Sequence, residues 1–189
     1  MFGFVRVDGA SPGLASLRAV VFVRERSAGL DVERVSLVPE AGGGVRFEPD
    51  GVAVPVGGWI ELYNGTTETR IVHCSTGGEE AVTIEPGAEV RVTIETVGYG
   101  TLTLADTGES AGFYGAPGPC CRTSPTGRYE IGGLTPGLAR IEAWHPQLQG
   151  DARLIDLATS SPMRVDLVMR AHDASKPGEG AGLSARLDD

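Results

Sequence analysis

The sequence predicts an all-β protein folded as antiparallel β-sandwiches, and three observations carry that expectation. Apolar and polar residues alternate in short separate segments, 28 glycines and 12 prolines are scattered between those segments, and runs of Ala, Leu and Lys at helical spacing are scarce. Short strands in succession with no helical interludes fit antiparallel sandwiches better than a parallel sheet.

Taken along the chain, the first apolar segment is "LRAVVFV", Leu17 to Val23, flanked by charge. It is far shorter than the ~20 residues a bilayer span needs, so no transmembrane helix is expected. In "WIELYN", Ile60 and Leu62 point away from Trp59, Glu61 and Tyr63, the pattern of a strand with one wet face. "EVRVTIETV" repeats it with Val90, Val92 and Ile94 against Arg91, Thr93 and Glu95. "TLTLAD" contributes Leu102 and Leu104, "RIEAW" Ile141 and Ala143, and "MRVDLVMR" Val165, Leu167 and Met169. Turns are expected at Pro49-Asp50-Gly51, Pro86-Gly87, Gly98-Tyr99-Gly100 and Pro136-Gly137. "GAPGPCC" carries two prolines and two glycines between residues 115 and 119, which should stop a ladder and mark a domain boundary. From His172 to Asp189 alternation gives way to Gly, Ser, Ala and charge, so residues 172–189 are expected to form a disordered tail.

A chain of 189 residues with 41% hydrophobic content can bury a core. Its net charge of −9 and lack of a basic patch argue against a nucleic-acid partner, because phosphate binding relies on clustered Lys and Arg. "MFGFVRVDG" lacks the basic, apolar and small-residue regions of a signal peptide. The chain is therefore expected to be cytoplasmic, unless a leader has been removed, in which case it would be periplasmic or secreted. Three cysteines, Cys74, Cys120 and Cys121, are too few and too odd in number for a disulfide framework.

Two stretches resemble known families. "VRFEPDGVAVPVGGWIELYNGTTETRIVHCSTGG" is similar to the front half of a bacterial cupredoxin-like domain: Phe47 and Pro49 lead into a Val-rich strand, Val52 to Val56, then Gly57-Gly58 and a strand from Ile60 to Asn64. "IEPGAEVRVTI" and "GYGTLTLAD" resemble that family's later strands. "SPTGRYEIGGLTPGLARIEAWHP" resembles the carboxypeptidase regulatory-like domain, a small transthyretin-like sandwich with a carbohydrate-binding-like fold, through Thr123, Ser124, Gly127, Tyr129, Ile131 and "LTPG", with Ser124 where that family usually has Asp. Together, with "AWHP" following, they resemble periplasmic proteins described as plastocyanin-like or methylamine-utilisation-like, over roughly residues 3–170.

The resemblance implies a cupredoxin-like domain over 40–117 and a regulatory-like domain over 118–171. "FVRVDGASPGLASLRAVVFV" also fits the first hairpin of a regulatory-like domain, so residues 1–35 would complete the C-terminal lobe and the cupredoxin-like part would be an insertion. Gly127 and Gly137 would then be structural turns.

A blue-copper centre needs two imidazoles and a thiolate, usually with a weak axial Met. In the family the first His follows the strand-ending Asn by six residues, where this chain has Arg70, and Asp106 and Glu109 fall where the Cys and second His would lie. No cofactor is expected. The alternative is copper or zinc on a non-family set drawn from His73, Cys74, Cys120, Cys121 and His145. Adjacent strand residues point to opposite faces, so His73 and Cys74 would need a bulge to share an ion, and a surface His beside a half-buried Cys satisfies the same pattern.

No catalytic triad, HExxH, P-loop or nucleotide fingerprint occurs, so the chain is not expected to be an enzyme. "NGT" at Asn64 is a formal glycosylation acceptor. Flat rings commonly hold carbohydrate, which makes Trp59, Tyr63, Tyr99, Phe113, Tyr114 and Trp144 ligand-binding candidates, although such rings also serve small cores. The sequence thus predicts a non-catalytic binding protein whose protein or carbohydrate partner it does not name.

Overall fold

The computed structural model describes residues 1–8, 18–24, 32–75, 79–157 and 162–171; the expectation of a disordered tail falls outside them. They form strands with no helix: β1 (Phe2–Asp8), β2 (Val20–Arg24), β3 (Val32–Pro39), β4 (Val45–Glu48), β5 (Gly51–Pro55), β6 (Trp59–Asn64), β7 (Arg70–Ser75), β8 (Glu79–Ile84), β9 (Glu89–Thr93), β10 (Gly98–Leu104), β11 (Ser110–Ala116), β12 (Cys120–Arg122), β13 (Arg128–Glu130), β14 (Gly137–His145), β15 (Leu148–Leu157) and β16 (Leu167–Ala171). The protein is all-β, as its alternation predicts. No helix among the described residues is long and apolar enough to cross a membrane.

A four-stranded sheet, ordered β4-β3-β6-β9, faces a five-stranded sheet, β5-β11-β10-β7-β8. Between them lies one core, from Val35 and Leu37 through Ile60, Leu62, Val72 and Cys74 to Leu102, Leu104 and Phe113. The seven-stranded sheet runs β12-β2-β14-β15-β16-β1-β13 and so joins strands from both ends of the chain, but β1 and β2 are separated in it by three strands and do not form the expected hairpin. Val21 and Val23 of β2 share a second core with Tyr129 of β13, Ile141 of β14 and Met169 of β16, so this sheet closes over its own inner face. Most pairings are antiparallel, but β1–β16, β3–β6 and β5–β11 are parallel, which makes the sheets mixed. A strand that returns to its sheet after the chain has crossed to the facing layer can run in the same direction as its neighbour.

A third cluster joins the two bodies. Val20 and Phe22 of β2 pack on Ala53 of β5 and on Tyr114 and Ala116 of β11, with Trp144 of β14 beside them. β2 and β5 are therefore covered on both faces, and "VVFV" and "GVAVP" read as continuous apolar runs for that reason.

One expectation from turn residues needs correction. Gly98-Tyr99-Gly100 is no turn but the start of β10, paired with Gly115, Tyr114 and Phe113 of β11. The Phe113 ring occupies the space where a side chain at residue 100 would be, since a Cβ there would lie 2.1 Å from its Cζ. In "GAPGPCC" the ladder does stop: Gly115 and Ala116 make its last pairs, with Val54 and Pro55, and residues 117–119 belong to no strand. The chain leaves the five-stranded sheet only after Ala116 and joins the seven-stranded sheet at Cys120.

Candidate functional site

The end of the first sandwich, where the cupredoxin resemblance implies a metal, is built on a buried amide. Asn64 is fully buried; its Nδ2 donates to the carbonyls of Glu68 and Ile84, both at 2.8 Å, and its Oδ1 accepts from the Thr66 N–H at 3.0 Å and the Thr66 hydroxyl at 2.7 Å. With both donors engaged inside the fold, Asn64 is not an accessible glycosylation acceptor. Thr66 Oγ1 in turn accepts from Arg70 Nε at 3.4 Å, and the Arg70 guanidinium pairs with Asp106 and, at 2.9 Å, with Glu68.

Two of the three positions implied for copper ligands, Arg70 and Asp106, are thus brought together, but as an ion pair. A guanidinium has no lone pair to give, and Asp106 and Glu109 are hard oxygen donors, so these residues do not fit a centre that requires imidazole and thiolate. Arg70 is 11% exposed and Asp106 47%. Removing the guanidinium therefore strips the buried Thr66 of a partner while leaving the carboxylate in contact with water. Arg70→Ala is expected to lower stability by about 1–2 kcal/mol and Asp106→Asn by less. Urea unfolding checks this, and an Arg70→Ala midpoint equal to that of the parent would show that the pair holds nothing.

The alternative Cys/His set is dispersed. Cys74 lies in the core of the first sandwich, and His73 points to the exposed face of β7. On β12, Cys120 packs at the junction cluster and Cys121 at the second core, on opposite faces. Burial pushes the Cys121 thiol up to about 11, outweighing a backbone hydrogen bond with Glu130, so it stays protonated near neutral pH. The three cysteines form no disulfide. Among the described residues no group of three or more His, Cys, Asp or Glu is placed to hold a metal ion.

The aromatic candidates divide. Trp59 and Tyr63 stand on the outer face of β6 under guanidinium groups, Arg91 at 5.2 Å from one ring centre and Arg34 at 4.8 Å from the other. Phe113 is core. Tyr99, Tyr114 and Trp144 converge at the junction. Register places Tyr99 opposite Tyr114 on the outer face of β10 and β11, and Trp144 arrives from β14. Ring centres are 5.8 Å apart for Tyr99–Trp144, 4.4 Å for Tyr114–Trp144 and 5.7 Å for Phe22–Tyr114. Exposure rises along this ladder from 2% at Phe22 and 7% at Tyr114 to 55% at Tyr99. Its inner rungs hold the two bodies together and its outer rung faces solvent. Gly112 lets the Tyr99 ring lie on β11, because a Cβ at that position would stand 2.9 Å from the phenolic oxygen.

The ladder borders a hollow of about 170 Å³ that Arg18, Asp50, Arg122 and His145 also line. A wider one of about 550 Å³ adjoins it, sharing Arg18, Val52 and Arg122 and extending to Arg128 and Glu130. Arg122 Nη1 donates to Asp50 Oδ1 at 2.9 Å and to the Gly51 carbonyl at 2.5 Å, and Arg18 Nη1 reaches the same Asp50 oxygen at 3.5 Å. His145 is buried, and burial, reinforced by the Arg122 charge, lowers its pKa and favours the neutral ring. Its Nδ1 accepts from the Gln147 N–H at 3.1 Å, so in the neutral ring the proton is assigned to Nε2. Sequence reasoning singled out His145 and the rings but missed Arg18 and Arg122 and read Asp50 only as a turn. Nothing local marks three residues that lie 32 and 72 positions apart.

No family model matches the chain. No curated protein matches it either. Among solved structures it is similar to a purple cupredoxin from Nitrosopumilus maritimus, at 11% identity and TM-score 0.38 over 44% of this chain and 99% of that one. It is also similar to a single-residue mutant of amicyanin in its Cu(I) form, at 14% identity and TM-score 0.39 over 51% and 98%. Pseudoazurin from Methylobacterium extorquens AM1 matches at 22% and TM-score 0.37 over 46% and 76%. Likeness at this level leaves the site to be read from the chain's own residues.

Proposed function

We propose that the chain is a non-catalytic binding protein of two β-sandwich lobes that takes a saccharide at the lobe junction. One lobe would consist of β1, β2 and β12–β16, with the cupredoxin-like lobe, β3–β11, inserted into it. The observation that carries the reading is the graded aromatic ladder, which ends in an exposed Tyr99 stacked on Trp144 at the mouth of a polar-walled hollow. A sugar ring offers an apolar face and a polar rim, and a flat ring beside hydrogen-bonding side chains complements both. The regulatory-like motif is the sequence support for the saccharide class and for a role in the envelope or secreted space.

A glycan panel tests the reading. The parent protein is expected to retain at least one saccharide, and Tyr99→Ala to weaken it roughly tenfold, a loss of about 1.4 kcal/mol. Because Tyr99 is largely exposed, the same variant should keep its melting temperature. A panel in which nothing binds, or a Tyr99→Ala protein that binds as the parent does, defeats the proposal.

A further inference from the structure

We propose that the saccharide taken at this junction is acidic, a sugar bearing a carboxylate of the uronate class. The inference rests on the binding reading above and deepens it.

Two guanidiniums, Arg18 and Arg122, line the smaller hollow against one carboxylate, Asp50. Both approach the same oxygen, Asp50 Oδ1, and each does so through Nη1 alone. Among the described residues no hydrogen bond engages the Nε or Nη2 group of either side chain, so no described residue fills that edge of either fork. A planar guanidinium with a free edge matches a carboxylate through two parallel N–H···O bonds, a geometry a neutral hydroxyl cannot reproduce. His145 also lines the hollow with its Nδ1 engaged by the Gln147 N–H, and its favoured neutral form adds no charge of its own.

In the smaller hollow two guanidiniums face one carboxylate, while the wider hollow adds Arg128 but also Glu33 and Glu130, in a chain whose net charge is −9. Surface charges further away than the Debye length of ~8 Å are largely screened at physiological salt, so the surplus within the smaller hollow and not the global deficit governs an anion seated there. The hollow of about 170 Å³ is small beside ordinary ligand pockets, which restricts the recognised unit to about one ring. Neighbouring units would run into the wider hollow that shares Arg18 and Arg122.

Trp144 provides the readout, since the chain has two tryptophans and Trp59→Phe leaves it as the only indole. In that background, digalacturonate and disaccharides of glucuronate and mannuronate are titrated beside their neutral counterparts and beside a sulfated monosaccharide. At least one uronate is expected to perturb Trp144 fluorescence and to bind tenfold or more tightly than its neutral partner and than the sulfated sugar, with affinity falling as salt rises. Arg18→Gln and Arg122→Gln should each weaken it about tenfold, while Asp50→Asn, which removes the competing carboxylate, should tighten it. Neutral sugars binding as well as the acidic ones would overturn this inference and leave the binding reading in place. A sulfated sugar that binds as tightly, or an Asp50→Asn protein that binds more weakly, would overturn it as well. No binding by any sugar would end both.

Discussion

Removing residues 1–24 is expected to abolish hydrogen-exchange protection across β13, β14 and β16 while leaving β6 and β10 protected. β1 sits between β16 and β13, and β13 pairs with no other strand among the described residues. β2 sits between β12 and β14 and supplies Val21 and Val23 to the second core and Phe22 to the junction cluster. Burial of each such side chain contributes about 1.5–3 kcal/mol, so losing Val5, Val21, Val23 and Phe22 together removes an amount comparable with the whole stability of a domain, about 5–15 kcal/mol. The first sandwich stands apart from this loss, since its core runs from Val35 to Phe113 and uses nothing from residues 1–24. Exchange measured strand by strand on the truncated protein decides the matter. Retained protection from Arg128 to Trp144 would show that the C-terminal strands fold without β1 and β2, and the proposed insertion would have to be dropped.

The same pairing shows what a sequence can and cannot disclose here. Alternation located β6, β9, β10 and β14 because each has one wet face, and burial follows the predicted side at Ile60, Leu62, Val92, Leu102, Leu104, Ile141 and Ala143. It was silent on the double burial of β2 and β5, since a continuous apolar run does not say how many layers cover it. The glycines of "GYG" predict a turn, although Gly100 serves to make room for the Phe113 ring inside a strand. Three of the proposed ligand-binding rings were legible and converge at the junction, while Trp59 and Tyr63 lie on another sheet under arginines. Residue type marks a ring as a candidate, but only topology says which rings meet. Arg18 and Arg122 carried no signal because a cation becomes part of a site through its neighbours, and theirs come from distant segments.

Gly127→Val is expected to destabilise the protein by about 3 kcal/mol or more, well beyond Gly137→Val at about 1–3 kcal/mol. Both glycines have positive φ, +80° at Gly127 and +115° at Gly137, where a β-branched residue is strained. At Gly127 a second cost is added. A Cβ there would stand 2.3 Å from the Val5 carbonyl oxygen, and that oxygen belongs to backbone rather than to a side chain that could swing aside. Nor can the turn retreat, because the Gly127 N–H donates to the Ser124 carbonyl at 2.8 Å and the Gly127 carbonyl accepts from the Val5 N–H at 2.8 Å. Moving either strand would break the β1–β13 register, Gly3 to Tyr129 and Phe4 to Arg128, and with it the seat of the buried Tyr129, whose hydroxyl donates to the Val165 carbonyl at 2.6 Å. Urea unfolding of the two variants side by side measures the difference. Equal losses would mean that β1 yields to the new side chain, and the rigid join between the first strand and the "SPTGRYE" turn would not be what holds this lobe closed.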